Sequence, residues 1–198
     1  MKTGIMGGTF DPIHSAHLLI GEMAREEYNL QRVIFMTGGN PPHKTGATPS
    51  DVRFDLTRLA ISDNPYFAAD DYEIKKTEKS YTVHTLEYLK DKYPEDELFF
   101  IIGEDSLKDL PMWYKPEEIM KMCTLLVFPR ISHSTLADTI NEMRTKYGDN
   151  IMPIKAPIME ISSTEIRGRI GKGKTVKYML PDKVIEYIKE NNLYGERD

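Results

Sequence analysis

The chain has 198 residues, 40% of them hydrophobic and 29% charged, with 26 Lys+Arg against 31 Asp+Glu and a net charge of -5. That length suits a single domain over residues 1–198 with a sizeable core, and the balance excludes wholesale disorder. The negative net charge excludes binding to a nucleic-acid backbone by bulk electrostatics, and no apolar run approaches the roughly 20 residues of a membrane-spanning helix. Too few apolar residues precede Gly7 to make a signal-peptide core, so a cytoplasmic protein with no membrane partner is expected. Cys123 has no partner for an internal disulfide and sits in an apolar run, which reads as a small buried hydrophobe.

In chain order, Gly4-Ile5-Met6 is a short strand broken by Gly7-Gly8-Thr9. A helix follows from residue 14 to about 28, with Leu18, Leu19, Met23 and Ala24 at helical spacing. Val33 to Met36 is a buried strand, then a Gly/Pro-rich loop runs over 38–48, and Ser50 is positioned to cap a helix bearing Val52, Leu56, Leu59 and Ala60. Leu98 to Ile102 and Thr124 to Phe128 are apolar on both faces, as parallel strands tend to be. Helices are predicted near 82–92 and 116–122, and again over 163–170 and 182–192. Alternating strands and helices predict an α/β fold: a Rossmann-like parallel sheet with helices on both faces. Ligands of such sheets bind beyond the carboxyl ends of the strands, which is where the unusual residues of this chain fall.

The most informative segment is Gly7-Gly8-Thr9-Phe10-Asp11-Pro12-Ile13-His14-Ser15-Ala16-His17. Two glycines let a loop approach a ligand and turn backbone N–H groups toward an anion, and the following helix directs its positive end the same way. His14 and His17, three apart, share a face if both lie in the first helical turn. Taken singly, Gly-Gly is a turn and the histidine pair is a surface face or half of a metal site. Further along, Ile161-Ser162-Ser163-Thr164-Glu165-Ile166-Arg167 reads as a helix cap with hydroxyls for an anion and a planar cationic fork, or simply as a capped helix with a surface arginine. Lys44 follows Pro41-Pro42-His43 in the loop; it is either a solvated lysine or a point charge for phosphate.

The first motif resembles the signature of the H-x-G-H nucleotidyltransferase superfamily, with Ala16 in place of the usual glycine. Within that superfamily the chain is similar to the bacterial nicotinate mononucleotide adenylyltransferases. Pro41-Pro42-His43-Lys44, Ser80-Tyr81-Thr82 with Thr85-Leu86, Gly103 with Asp105, Trp113-Tyr114 and Ile161 to Arg167 agree with the same family along nearly the whole chain. The resemblance implies transfer of the adenylyl group of ATP to nicotinate mononucleotide, with Mg²⁺ arriving on the nucleotide. It implies catalytic roles for His14, His17, Lys44 and Arg167. ATP would be held by Gly7, Gly8, Thr9, Phe10, His14, His17, Gly103, Asp105, Ile161, Ser163, Thr164 and Arg167. The mononucleotide would be held by Gly8, Thr9, Lys44, Tyr81, Thr85, Trp113 and Tyr114, the Trp113 ring stacking on the pyridine. No metal ligand of the protein's own is expected. Read without the family, Trp113 is equally core, Asp105 caps a helix over 106–110, and Met112, Met120 and Met122 are packing. Three rivals stay open: the same transfer onto nicotinamide mononucleotide or phosphopantetheine, a non-catalytic nucleotide-binding regulator, and a metal-dependent hydrolase using His14 and His17. Homo-oligomerisation is left open by the sequence.

Overall fold

The computed structural model describes residues 1–39, 47–76, 80–129 and 133–195. Among them, six strands form one sheet: β1 (Lys2–Gly8), β2 (Arg32–Thr37), β3 (Phe67–Asp70), β4 (Glu97–Gly103), β5 (Cys123–Phe128) and β6 (Ile151–Pro153). Every neighbouring pair is parallel, in the order β3-β2-β1-β4-β5-β6. The helices are α1 (Ser15–Tyr28), α2 (Ser50–Ala60), α3 (Thr82–Lys92), α4 (Glu104–Lys108), α5 (Pro116–Met122), α6 (His133–Tyr147), α7 (Ser163–Ile170) and α8 (Asp182–Glu190). The Rossmann-like order follows from right-handed crossovers: each parallel strand needs a helix to return the chain to the same end of the sheet. No described helix is long and apolar enough to cross a membrane.

Alternation along the strands divides the core in two. Met6, Phe35, Phe99, Ile101 and Leu126 face one side with Ile20, Leu56, Ile166 and Val184. Ile5, Ile34, Phe100, Leu125 and Val127 face the other with Leu86, Leu89, Leu107 and Leu136. Cys123 is buried, donates to the Ile119 carbonyl, and its thiol is pushed up to about 12 by burial, consistent with an inert core residue.

Several local details differ from the sequence reading. Pro49, not a capping side chain, precedes α2, and Ser50 is its first helical residue. Gly103 occupies the position before α4, so Asp105 lies inside that helix and does not cap it. Strands β3 and β6 were not legible because four and three residues are too few for a periodic signal, and each is an edge strand with one neighbour. Helix α6 was passed over although Leu136, Ile140 and Met143 recur at helical spacing and are buried.

Candidate active site

The chain order reverses between β1 and β4: the path from β1 continues to β2 on one side, and that from β4 to β5 on the other. Helices leaving the two strands therefore diverge and open a crevice at their carboxyl ends. A cavity of about 370 Å³ lies there, a suitable size for part of a nucleotide. It brings together Gly7 and Gly8 of β1, Gly38 and Gly39 after β2, Gly103 of β4, Phe128 of β5, His17 of α1, Trp113 and Glu73.

Gly8 is required by its neighbour. A Cβ there would stand 2.6 Å from the Phe10 ring, and the Phe10 backbone itself takes the left-handed conformation at φ 48°. That conformation turns the Phe10 ring inward, where it is 2% exposed between Phe35 and His17. Phe10 thus shapes the turn from below, and the part it presents to a ligand is main chain. The Asp11–Pro12 peptide bond is cis.

His14 and His17 meet as expected, their rings stacked with centroids 3.7 Å apart. The His14 backbone N–H donates to Nδ1 of His17 at 3.2 Å. Nδ1 is therefore an acceptor, and the neutral ring carries its proton on Nε2. Burial, and secondarily His14, holds His17 well below the ordinary histidine value, while burial lowers His14 to about 4. Among the described residues, Nδ1 of His14 is buried without a hydrogen-bond partner. Ala16, in place of the family glycine, is 4% exposed and does not line the cavity.

The depressed His14 value carries a stability consequence. The folded chain refuses a proton that the unfolded chain accepts between pH 6.5 and about 4, so stability falls as pH falls through that window. Urea unfolding at pH 7 and pH 5 should show a loss attributable to His14 of about 2 kcal/mol. The loss should be correspondingly smaller in His14→Gln, and an unchanged difference would place the titration elsewhere.

Asp11 joins the turn to distant parts of the chain. Its Oδ1 accepts from the Tyr194 hydroxyl at 2.8 Å, its Oδ2 from the Thr48 backbone N–H at 3.3 Å, and its carbonyl from Nη1 of Arg167 at 2.7 Å. Burial and the adjacent Asp11 carboxylate raise the Tyr194 phenol above its usual range, so it remains a donor. Helix α7 is capped by Ser162, whose hydroxyl accepts from the Glu165 N–H, so the capping residue lies one position ahead of Ser163. Ser163 donates to the Pro12 carbonyl at 2.9 Å, and Arg167 also reaches Thr164 Oγ1 at 3.4 Å. Ser163, Thr164 and Arg167 thus stand beside the first motif, though neither they nor Ile161 line the cavity.

On the opposite wall Trp113 packs at right angles to Phe100, ring centroids 6.3 Å apart. Tyr114 and Tyr81 are exposed and lie against each other at 5.1 Å, outside the cavity lining. Thr85 differs most from expectation. It is 2% exposed, and its hydroxyl donates to Glu73 at 2.6 Å, so that proton is committed to a carboxylate rather than directed at a ligand. Glu73 is the group that faces the cavity, and burial raises its carboxyl above the ordinary range. Asp105 is exposed and away from the cavity lining, whereas Gly103 lines it. Lys44 lies outside the described residues.

Sequence reasoning missed Arg53, Glu73 and Tyr194. An arginine in the middle of the apolar stripe of α2 was a signal, because Arg53 shares a helix face with Leu56 and Ala60. Glu73 and Tyr194 carried no comparable local signal. Among the described residues no group of three or more His, Cys, Asp or Glu converges as a metal-binding set.

Comparison with known proteins bears on this geometry. Residues 5–169 match the family model described as Cytidylyltransferase-like. The chain is 43% identical over 199 residues to a probable nicotinate-nucleotide adenylyltransferase of Clostridium botulinum strain Loch Maree, covering 98% of this chain and 99% of that protein. It is 42% identical over 196 residues to a protein of the same description from Caldicellulosiruptor bescii, with the same coverage. Among solved structures it is similar to the Plasmodium falciparum nicotinic acid mononucleotide adenylyltransferase complexed with NaAD, at TM-score 0.78 and 20% identity over 98% of this chain and 97% of that one. That second likeness concerns the fold.

Proposed function

The chain belongs to the cytidylyltransferase-like family and, within it, to the nicotinate-nucleotide adenylyltransferases, and from that premise we propose how its own residues carry out adenylyl transfer. The reaction joins nicotinate mononucleotide to the adenylyl group of ATP, giving nicotinate adenine dinucleotide and pyrophosphate. A phosphate oxygen of the mononucleotide attacks the α-phosphorus in line, a new P–O–P bridge forms, and the bond to the β-phosphate oxygen breaks. No protein nucleophile is needed, so the work is positioning and charge stabilisation.

The observation that carries the assignment is the convergence of Gly7, Gly8, His17 and Trp113 on one cavity at the reversal point of the sheet. Gly7 and Gly8, without side chains at the end of β1, let the phosphates approach main chain. His17 offers Nε2–H as a neutral donor to the α-phosphate, and the unpaired His14 beside it takes a neighbouring phosphate oxygen. Ser163, Thr164 and Arg167, braced on Asp11 and Pro12, form the outer edge that receives the β- and γ-phosphates, with Lys44 a further charge for the same oxygens. Trp113 stacks on the pyridine ring, and Thr82, which opens α3 and lines the cavity, offers its N–H to the carboxylate. A divalent cation suits a triphosphate substrate. We assign it as Mg²⁺ held by ATP and water, since the described residues supply no cage for it.

The test is incubation with ATP and each candidate acceptor, measuring pyrophosphate and dinucleotide. Nicotinate mononucleotide should be used, and preferred over the amide by about tenfold or more in kcat/KM, because main-chain donors suit a carboxylate and mispairing costs about 1–3 kcal/mol. Equal use of acid and amide would overturn the acceptor. Turnover of neither would overturn the reaction.

A further inference from the structure

Arg53 of α2 is the largest of the fully buried side chains among the described residues, at 1% exposure. Its guanidinium hydrogen-bonds to three main-chain carbonyls: Nε to Thr48 at 2.8 Å, Nη1 to Thr9 at 2.5 Å, and Nη2 to Gly39 at 2.8 Å. Burying a cation against neutral partners is costly, and an apolar side chain of the same volume would fill the space without that cost. What a guanidinium supplies and an apolar group does not is several donors fixed in one plane, aimed at separate segments.

The three segments have one thing in common. Thr9 directly follows Gly8, the last residue of β1, Gly39 lines the cavity after β2, and Thr48 is the residue whose N–H bonds Asp11. A separate bond joins the same two turns, from the Gly38 N–H to the Gly8 carbonyl at 2.8 Å. Arg53 therefore ties the segment that leaves β1, through Thr9, to the segment that leaves β2, through Gly39, beyond the last strand-to-strand bond, and Gly8 and Gly39 of these segments border the cavity where the phosphates would sit.

We infer that Arg53 is a positioning residue for adenylyl transfer, holding the Thr9 and Gly39 carbonyls so that the two turns keep the spacing in-line attack requires. The inference rests on the adenylyl-transfer reading. It differs from a structural role in its prediction: a merely structural arginine affects melting, whereas a positioning one affects turnover in the folded enzyme.

Two variants approach the clamp from opposite ends. Arg53→Lys keeps a charge and loses the planar fork. Gly39→Ala leaves Arg53 intact but places a Cβ 2.3 Å from the Glu73 carbonyl, which forces Gly39 off its position. In each variant shown by circular dichroism to be folded, kcat should fall about 10- to 100-fold, the scale of a misplacement near 1 Å, while KM for ATP and for the mononucleotide changes by about threefold or less. A folded variant of either kind with kcat within about twofold of wild type would overturn the inference, as would failure of both to fold, which would assign Arg53 to the fold alone. Inactive wild-type protein would instead sink the adenylyl-transfer reading, so the two failures are distinguishable.

Discussion

His17→Ala should lower kcat by about 10²–10³-fold, the effect of removing one preorganised donor from developing charge, while weakening ATP binding far less. The donor is preorganised by three contacts. The His14 N–H fixes Nδ1 as the acceptor, the His14 ring stacks on one face at 3.7 Å, and the Phe10 ring stands edge-on at 5.0 Å. Because burial keeps the imidazole neutral at neutral pH, it donates from Nε2 without first acquiring a proton. A donor so placed matters most as charge redistributes around the α-phosphorus, which is why the loss should fall on kcat. His17→Asn, which retains an N–H, should recover part of the activity. Steady-state kinetics with calorimetric ATP binding check this, and near-normal kcat in His17→Ala would remove the histidine from its role.

Asp11→Ala should destabilise the fold by about 3 kcal/mol, a melting shift of about 6–12 °C. The carboxylate accepts from the Tyr194 hydroxyl and the Thr48 N–H, and the residue is 5% exposed. Removing it leaves two half-buried donors without their acceptor, the costly direction of a hydrogen-bond deletion. Tyr194→Phe should cost about 1–2 kcal/mol, and the double variant should cost less than the sum, because both remove one contact. Additive effects would show that Tyr194 and Asp11 act separately. Activity should fall as well in Asp11→Ala, since the lost carboxylate stands 4.0 Å from Nη1 of Arg167 and accepts from the Thr48 N–H, while the Asp11 carbonyl bond to Arg167 is kept.

The fold was legible where the pattern was long. Val33 to Met36, Leu98 to Ile102 and Thr124 to Phe128 are continuous apolar runs, and each is a strand of the sheet. Strands β3 and β6 were lost because an edge strand needs few residues and little apolar surface. At the site, the histidine pair was legible because two histidines three apart on one helix share a face, whereas Gly7 and Gly8, expected to break the strand, are its last two residues and pair with β2, the chain turning only beyond them.

What the sequence by itself determined was the α/β alternation, the carboxyl-end location of the unusual residues, and the family to which those motifs correspond. Each is a matter of neighbours along the chain, where propensity and spacing act directly. What only the tertiary structure decided were the partners drawn from far away. Thr85 lies behind Glu73 and donates a hydrogen bond to it, Tyr194 closes on Asp11 from 183 residues along the chain, and Arg53 gathers Thr9, Gly39 and Thr48. A buried polar group takes the partner that the packed fold puts within reach. The periodicity that places an arginine on a helix says nothing of which carbonyls three other segments will bring to it.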